Sequence, residues 1–222
     1  MRDVYHDQLV ALSGRLVEMT RLVRSAMAQA SVALLDADLA LAEEVISGDG
    51  QVDTMKTEIE DSVFDLMACQ QPVAGDLRTV ITALPMSGDL ERMGDLAVHI
   101  AQTARRRHPE SAVPPELQAI VREMARIADQ LVAKAGSVIA TSDVHLGLEL
   151  DTDDDAMDRL HRRLFTLLLS PGWAYGVEAA VDITLASRYF ERFADHAVDL
   201  AANVVYLVTG QHLDQINDQL AR

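Results

Sequence analysis

Four pairs of carboxylates in this sequence share one spacing: Asp49–Asp53, Glu91–Asp95, Asp154–Asp158 and Glu191–Asp195. Residues four apart stand one above the other on a helix, so each pair presents both acids to the same side. Like charges at that spacing repel by about 0.2–0.5 kcal/mol when exposed, and by more when partly buried. Two such pairs brought together form a set of four acids that is stable only with a cation among them. Ligation by oxygen alone suits hard or borderline ions, and magnesium, manganese, calcium, iron and zinc all qualify. Two plainer explanations stand beside this one. A chain with 35 acidic residues produces such pairs on solvated helix faces. An arginine also follows each glutamate (Arg92 and Arg192), which would serve a network of structural ion pairs.

Other ligand-type side chains lie close to the pairs in sequence. About one heptad beyond Glu91 and Glu191 come His99 and Asp199, and His196 follows Asp195. These three are candidate additional ligands. Asp158 and His161 also have ligand spacing, although the residue that corresponds to His161 in the other half of the chain is Lys56.

The elements that must hold these residues are long helices. Leu9, Leu12, Leu16, Met19, Val23, Ala26 and Ala30 recur at steps of three and four, which predicts a first helix over residues 3–35. Asp36 and Asp38 offer N-cap oxygens to a second helix reaching Gln70, and Gly48 and Gly50 weaken its middle. Pro72 stops it. A third helix is expected over 73–107, bent at Pro85 and closed by the cations Arg105, Arg106 and Arg107, which suit a helix C-terminus. The segment 108–115 (HPESAVPP) carries three of the six prolines and reads as a linker. The pattern then restarts with Leu117, Ile120, Met124, Ile127, Leu131 and Val138, followed by helices over 143–169 and 173–208.

The second half repeats the first. Residues 91–101 (ERMGDLAVHIA) and 191–201 (ERFADHAVDLA) agree at six of eleven positions at an offset of 100. The earlier helices align at an offset of 105, pairing Met19 with Met124, Asp38 with Asp143, Asp49 with Asp154 and Asp53 with Asp158. All four acidic pairs therefore occupy equivalent places in two copies of one unit. The expected architecture is all-α: residues 1–107 form one three-helix bundle, 108–115 the linker and 116–222 a second bundle of elongated antiparallel helices.

Composition narrows the function. With 19 basic against 35 acidic residues the formal charge is −16, which argues against nucleic acid and against anionic lipid as partners. The single cysteine, Cys69, excludes an intramolecular disulfide and fits a reducing compartment. No apolar run of 18 residues occurs, and MRDVYHDQLV lacks the apolar core of a signal peptide, so a cytoplasmic setting is expected. There is no Gly-rich phosphate loop and no HExxH motif, so no catalytic turnover is expected. The alternative is a carboxylate-bridged di-metal enzyme of helical-bundle type; such sites add a Glu-x-x-His pair from each of two helices, and this chain has none.

The two-copy plan, the doubled ER-x-x-D-x-A helix, QQPVAGDLR (Gln70 to Arg78) and YLVTG (Tyr206 to Gly210) resemble the PhoU family of bacterial phosphate-uptake regulators. The resemblance covers essentially the whole chain. It implies two similar three-helix bundles side by side, usually in a homodimer. It also implies a cytoplasmic negative regulator that links the phosphate-specific ABC transporter ATPase to a sensor histidine kinase. The family motif of an acidic residue, three spacers and an aspartate binds metal clusters in some members, and it matches the four pairs named above. Departures from the family pattern fall at His99 and Asp199, where asparagine is usual, at Pro85, and at Ala194 in place of glycine.

Overall fold

A computed structural model describes residues 2–213, 215 and 216, with side chains from residue 5 onward. Among the described residues seven α-helices follow one another: α1 (Arg2–Asp36), α2 (Leu39–Gly48), α3 (Gly50–Gln70), α4 (Ala74–Arg107), α5 (Gln118–Thr141), α6 (Val144–Leu168) and α7 (Gly176–Thr209). A single 3-10 turn at Pro115–Leu117 leads into α5.

The repeat is visible in the way helices end and begin. Ala37 and Ser142, which are equivalent at the offset of 105, both take the left-handed conformation and close α1 and α5. Asp38 and Asp143 then cap the next helices, accepting from Leu41 N at 3.0 Å and Leu146 N at 3.1 Å. A side-chain oxygen at each N-cap satisfies an amide that has no partner within the helix. The copies differ one turn later. The second helix is divided at Asp49, between the Gly48 and Gly50 that weaken its middle, and a tight bond from Val52 N to Asp49 O (3.0 Å) bridges the break. Two glycines around one residue remove the side chains that would stiffen the turn. In the other copy α6 runs through Asp154 without interruption. Pro85 lies inside an uninterrupted α4.

Within each copy the outer element (α2–α3 or α6) packs on the two helices beside it. The copies meet through α1 against α5 and α4 against α7. Both pairs run antiparallel. On one seam Arg24 forks onto Asp129 at 2.6 and 2.9 Å; on the other, Arg106 meets Asp182, Asp89 meets His196, and Arg78 meets the Leu207 carbonyl. Arg24 and Asp129 are themselves repeat equivalents, so a local twofold axis passes between them, as in an isologous interface. The core is continuous across this axis: Met19 and Met124, Leu90 and Phe190, and Met93 and Phe193 are repeat partners, all with no exposed surface. Within residues 108–115, the segment 112–114 is buried against the bundle. Ser111 Oγ donates toward the Leu34 and Leu35 carbonyls, and Val113 is 1% exposed.

Close helix approach at Gly147 gives a first prediction. A Cβ there would stand 3.0 Å from Val205 Cγ2 and 3.6 Å from the Ala201 carbonyl, so in Gly147→Ala the β-branched Val205 side chain on α7 must give by a few tenths of an ångström. A loss of about 1 kcal/mol is expected in chemical denaturation.

Candidate functional site

The outer helices and the seam helices present their acids to one another. In the first copy Asp49, at the α2–α3 break, and Asp53 on α3 face Glu91 and Asp95 on α4. Burial holds the Asp49 carboxyl above the usual range, and Asp53, Asp95 and Glu91 raise it further, with His99 opposing. In the second copy Asp154 and Asp158 on α6 face Glu191 and Asp195 on α7. Burial, then Asp195, Asp158 and Glu191, push Asp154 up to about 7. Glu191 is raised in turn by burial and then by Asp195. The acids are therefore gathered into two quartets, one per copy, close enough for their charges to raise Asp49, Asp154 and Glu191. In neither quartet do three ligand atoms fall within 4.8 Å of one another.

Local cations pair with two acids of each quartet and leave Asp49 and Asp53, like Asp154 and Asp195, without an ion pair among the described residues. Lys56 stands 3.7 Å from Glu91, and Arg92 lies 3.1 Å from Asp95 and 3.7 Å from Glu91. In the second copy Arg188 pairs with Glu191, and Arg162 stands 3.7 Å from Asp158. Two oxygens of this quartet, Asp154 Oδ1 and Glu191 Oε2, are buried with no hydrogen-bond partner. A buried carboxylate oxygen without a donor costs about 1–3 kcal/mol or more, so this quartet fits a cation. The residues that would hold it are Asp154, Asp158, Glu191 and Asp195; in the first copy they are Asp49, Asp53, Glu91 and Asp95. His161 turns away, with Nδ1 3.1 Å from Ser187 Oγ and its ring edge-on to Phe165.

The three additional candidates lie on the α4–α7 seam. His99 stacks on Tyr189, with ring centroids 5.2 Å apart, while still sensing Asp49. His196 and Asp199 gather around Asp89 instead, and among the described residues these three form the one set of ligand atoms within 4.8 Å of each other. Asp89 escaped the sequence reading because its nearest acid, Glu91, is two residues away and so points to another side of the helix.

With this geometry in view, comparison with known proteins decides the family. The PhoU domain model matches residues 16–104 and 121–204, one match for each copy.

The chain belongs to the PhoU family.

Among its relatives is the "Phosphate-specific transport system accessory protein PhoU homolog 2" of Mycobacterium tuberculosis, 50% identical over 95% of this chain and 99% of that protein. Homolog 1 of Mycobacterium leprae is 47% identical over 95% of each. The crystal structure of PhoU from Pseudomonas aeruginosa superposes with a TM-score of 0.84 at 31% identity, over 93% of this chain and all of that one. No helix of this PhoU chain, among the described residues, is long and apolar enough to cross a membrane.

At Gly94 the PhoU helix pair comes close to Asp49. A Cβ would lie 3.5 Å from Val52 Cγ1 and 3.6 Å from Asp49 Oδ1, an ordinary contact, and the equivalent Ala194 already carries that methyl fully buried. Gly94→Ala should therefore keep the melting temperature or raise it, through about 0.5–1 kcal/mol of helix preference.

Proposed function

We propose that this chain is a non-catalytic negative regulator of phosphate uptake and of phosphate-starvation signalling. It works as a cytoplasmic homodimer that docks on the ATPase of a phosphate ABC transporter and on a sensor histidine kinase. The observation that carries this reading is the near full-length match to proteins named as phosphate-specific transport system accessory proteins. The strong acidity of the chain supports it, because a charge of −16 favours encounter with basic surfaces of membrane-bound partners. The test is deletion of the gene, together with any second copy, followed by alkaline phosphatase assay at high phosphate. Loss of repression is expected; unchanged repression overturns the reading.

The quartets are its metal sites. The orphaned Asp154 Oδ1 and Glu191 Oε2 are what support this, and they make the second quartet the tighter one. Iron, zinc, magnesium and manganese all suit such donors. A bound ion would fix α6 against α7 and α3 against α4. Metal analysis of protein purified without added ions should show less metal in the double variant Asp154→Asn with Glu191→Gln than in the parent. Equal content would leave the quartets as purely structural acids.

A further inference from the structure

Asp89, His196 and Asp199 form a donor set that the quartets do not account for. His196 Nδ1 stands 3.1 Å from Asp89 Oδ1 and 3.9 Å from Asp199 Oδ2. Three ligands of a four-coordinate ion with bonds of about 2.0–2.1 Å are separated by about 3.4 Å, midway between these two spacings. The His196 and Asp89 side chains are 11% and 20% exposed, whereas Asp199 is 61% exposed and can adjust. Among the described residues, no lysine or arginine pairs with either aspartate, so two acids share a single imidazole. A groove of about 450 Å³, lined in part by Asp89, Asp199, Asn203 and Tyr206, opens beside the set and leaves room for a water as fourth ligand.

The local twofold supplies an independent comparison. At the offset of 100, Asp89 corresponds to Tyr189, His196 to Leu96 and Asp199 to His99. There the same seam closes with His99 stacked on Tyr189, and no set of ligand atoms converges. Packing α4 on α7 thus does not require three ionisable groups. One side of the axis nevertheless carries them, with Asp89 partly buried beside a single imidazole. Imidazole with two carboxylates is a donor set for borderline transition metals rather than for magnesium or calcium.

We propose that Asp89, His196 and Asp199 bind one divalent transition metal ion, of which zinc is the type, bridging α4 of the first copy to α7 of the second. The site is separate from the quartets and does not rest on the regulatory reading. It makes the seam between the copies metal-dependent on one side of the axis only.

The experiment uses the full chain, stripped with a chelator and dialysed. Zinc is titrated in competition with a chromophoric chelator, and cobalt(II) is titrated separately for its ligand-field bands. The parent should bind one zinc that survives Glu91→Gln and Glu191→Gln. His196→Gln and Asp199→Asn should each weaken that zinc by roughly tenfold or more and abolish the cobalt bands of a nitrogen-containing site. Asp199→Asn is the control for folding, since the side chain is exposed and the change isosteric; in the background of Glu91→Gln with Glu191→Gln, zinc should raise the melting temperature, and should no longer do so once Asp199→Asn is added. Zinc stoichiometry and affinity unchanged in both variants would overturn the proposal, as would loss of the site in Glu191→Gln with His196→Gln unaffected.

Discussion

Replacing Arg106 and Arg107 together by alanine should destabilise the chain by about 3–5 kcal/mol, while Asp182→Asn should cost only about 1–2 kcal/mol. The asymmetry follows from where the charges stand. Asp182, in the second turn of α7, is 3% exposed, and both its oxygens are held from the C-terminal end of α4. Arg106 Nη2 donates to Oδ1 at 2.6 Å, and Arg107 Nε donates to Oδ2. Arg107 also reaches Glu178 at 2.7 Å. Removing both cations strands a carboxylate away from water, which is the expensive way to break a buried pair. Removing the carboxylate leaves arginines that can turn to solvent, since Arg106 is already 55% exposed at its side chain. Urea titrations of the two variants check the order. A larger cost for Asp182→Asn than for the double arginine variant would overturn it.

The metal-free chain should also lose stability as pH rises from 5 to 8, and Asp154→Asn should remove most of that loss. Asp154 is held at about 7 by burial and then by Asp195 and Asp158, against an ordinary value of 3.8. Below the unfolded value both states hold the proton. Between the two values the unfolded chain releases it while the folded chain retains it, so stability falls with rising pH and the loss is complete above about 7. Because the group is partly open to solvent, screening reduces the cost to about 2 kcal/mol. Asp49 and Glu191 are raised as well and add to the trend. A bound cation would favour the ionised forms and reverse the slope. Thermal melts of chelator-stripped protein across this range test the sign; a flat or rising profile for the parent would refute it.

Much of this molecule was legible residue by residue. The steps of three and four from Leu12 to Ala30, the cap at Asp38, the stop at Pro72 and the i, i+4 acids are all statements about one helix. Helix geometry makes such neighbours from spacing alone. The offset between copies was equally plain, because repetition needs no knowledge of packing. Arg105–Arg107, in contrast, read as cations suited to a helix C-terminus, and two of them proved to clamp Asp182 on the other copy. His99, His196 and Asp199 read as additional ligands beside the acidic pairs; the tertiary structure sets them on the α4–α7 seam, where Asp89 joins His196 and Asp199.

Spacing along the chain thus determined the helices, their duplication and which acids share a face. The antiparallel meeting of α4 with α7 decided the rest. Asp89 and His196 lie 107 positions apart, and no periodicity relates them. Only the burial of both helices' apolar stripes in one core, with Met93 and Phe193 at its centre, brings them within 3.1 Å.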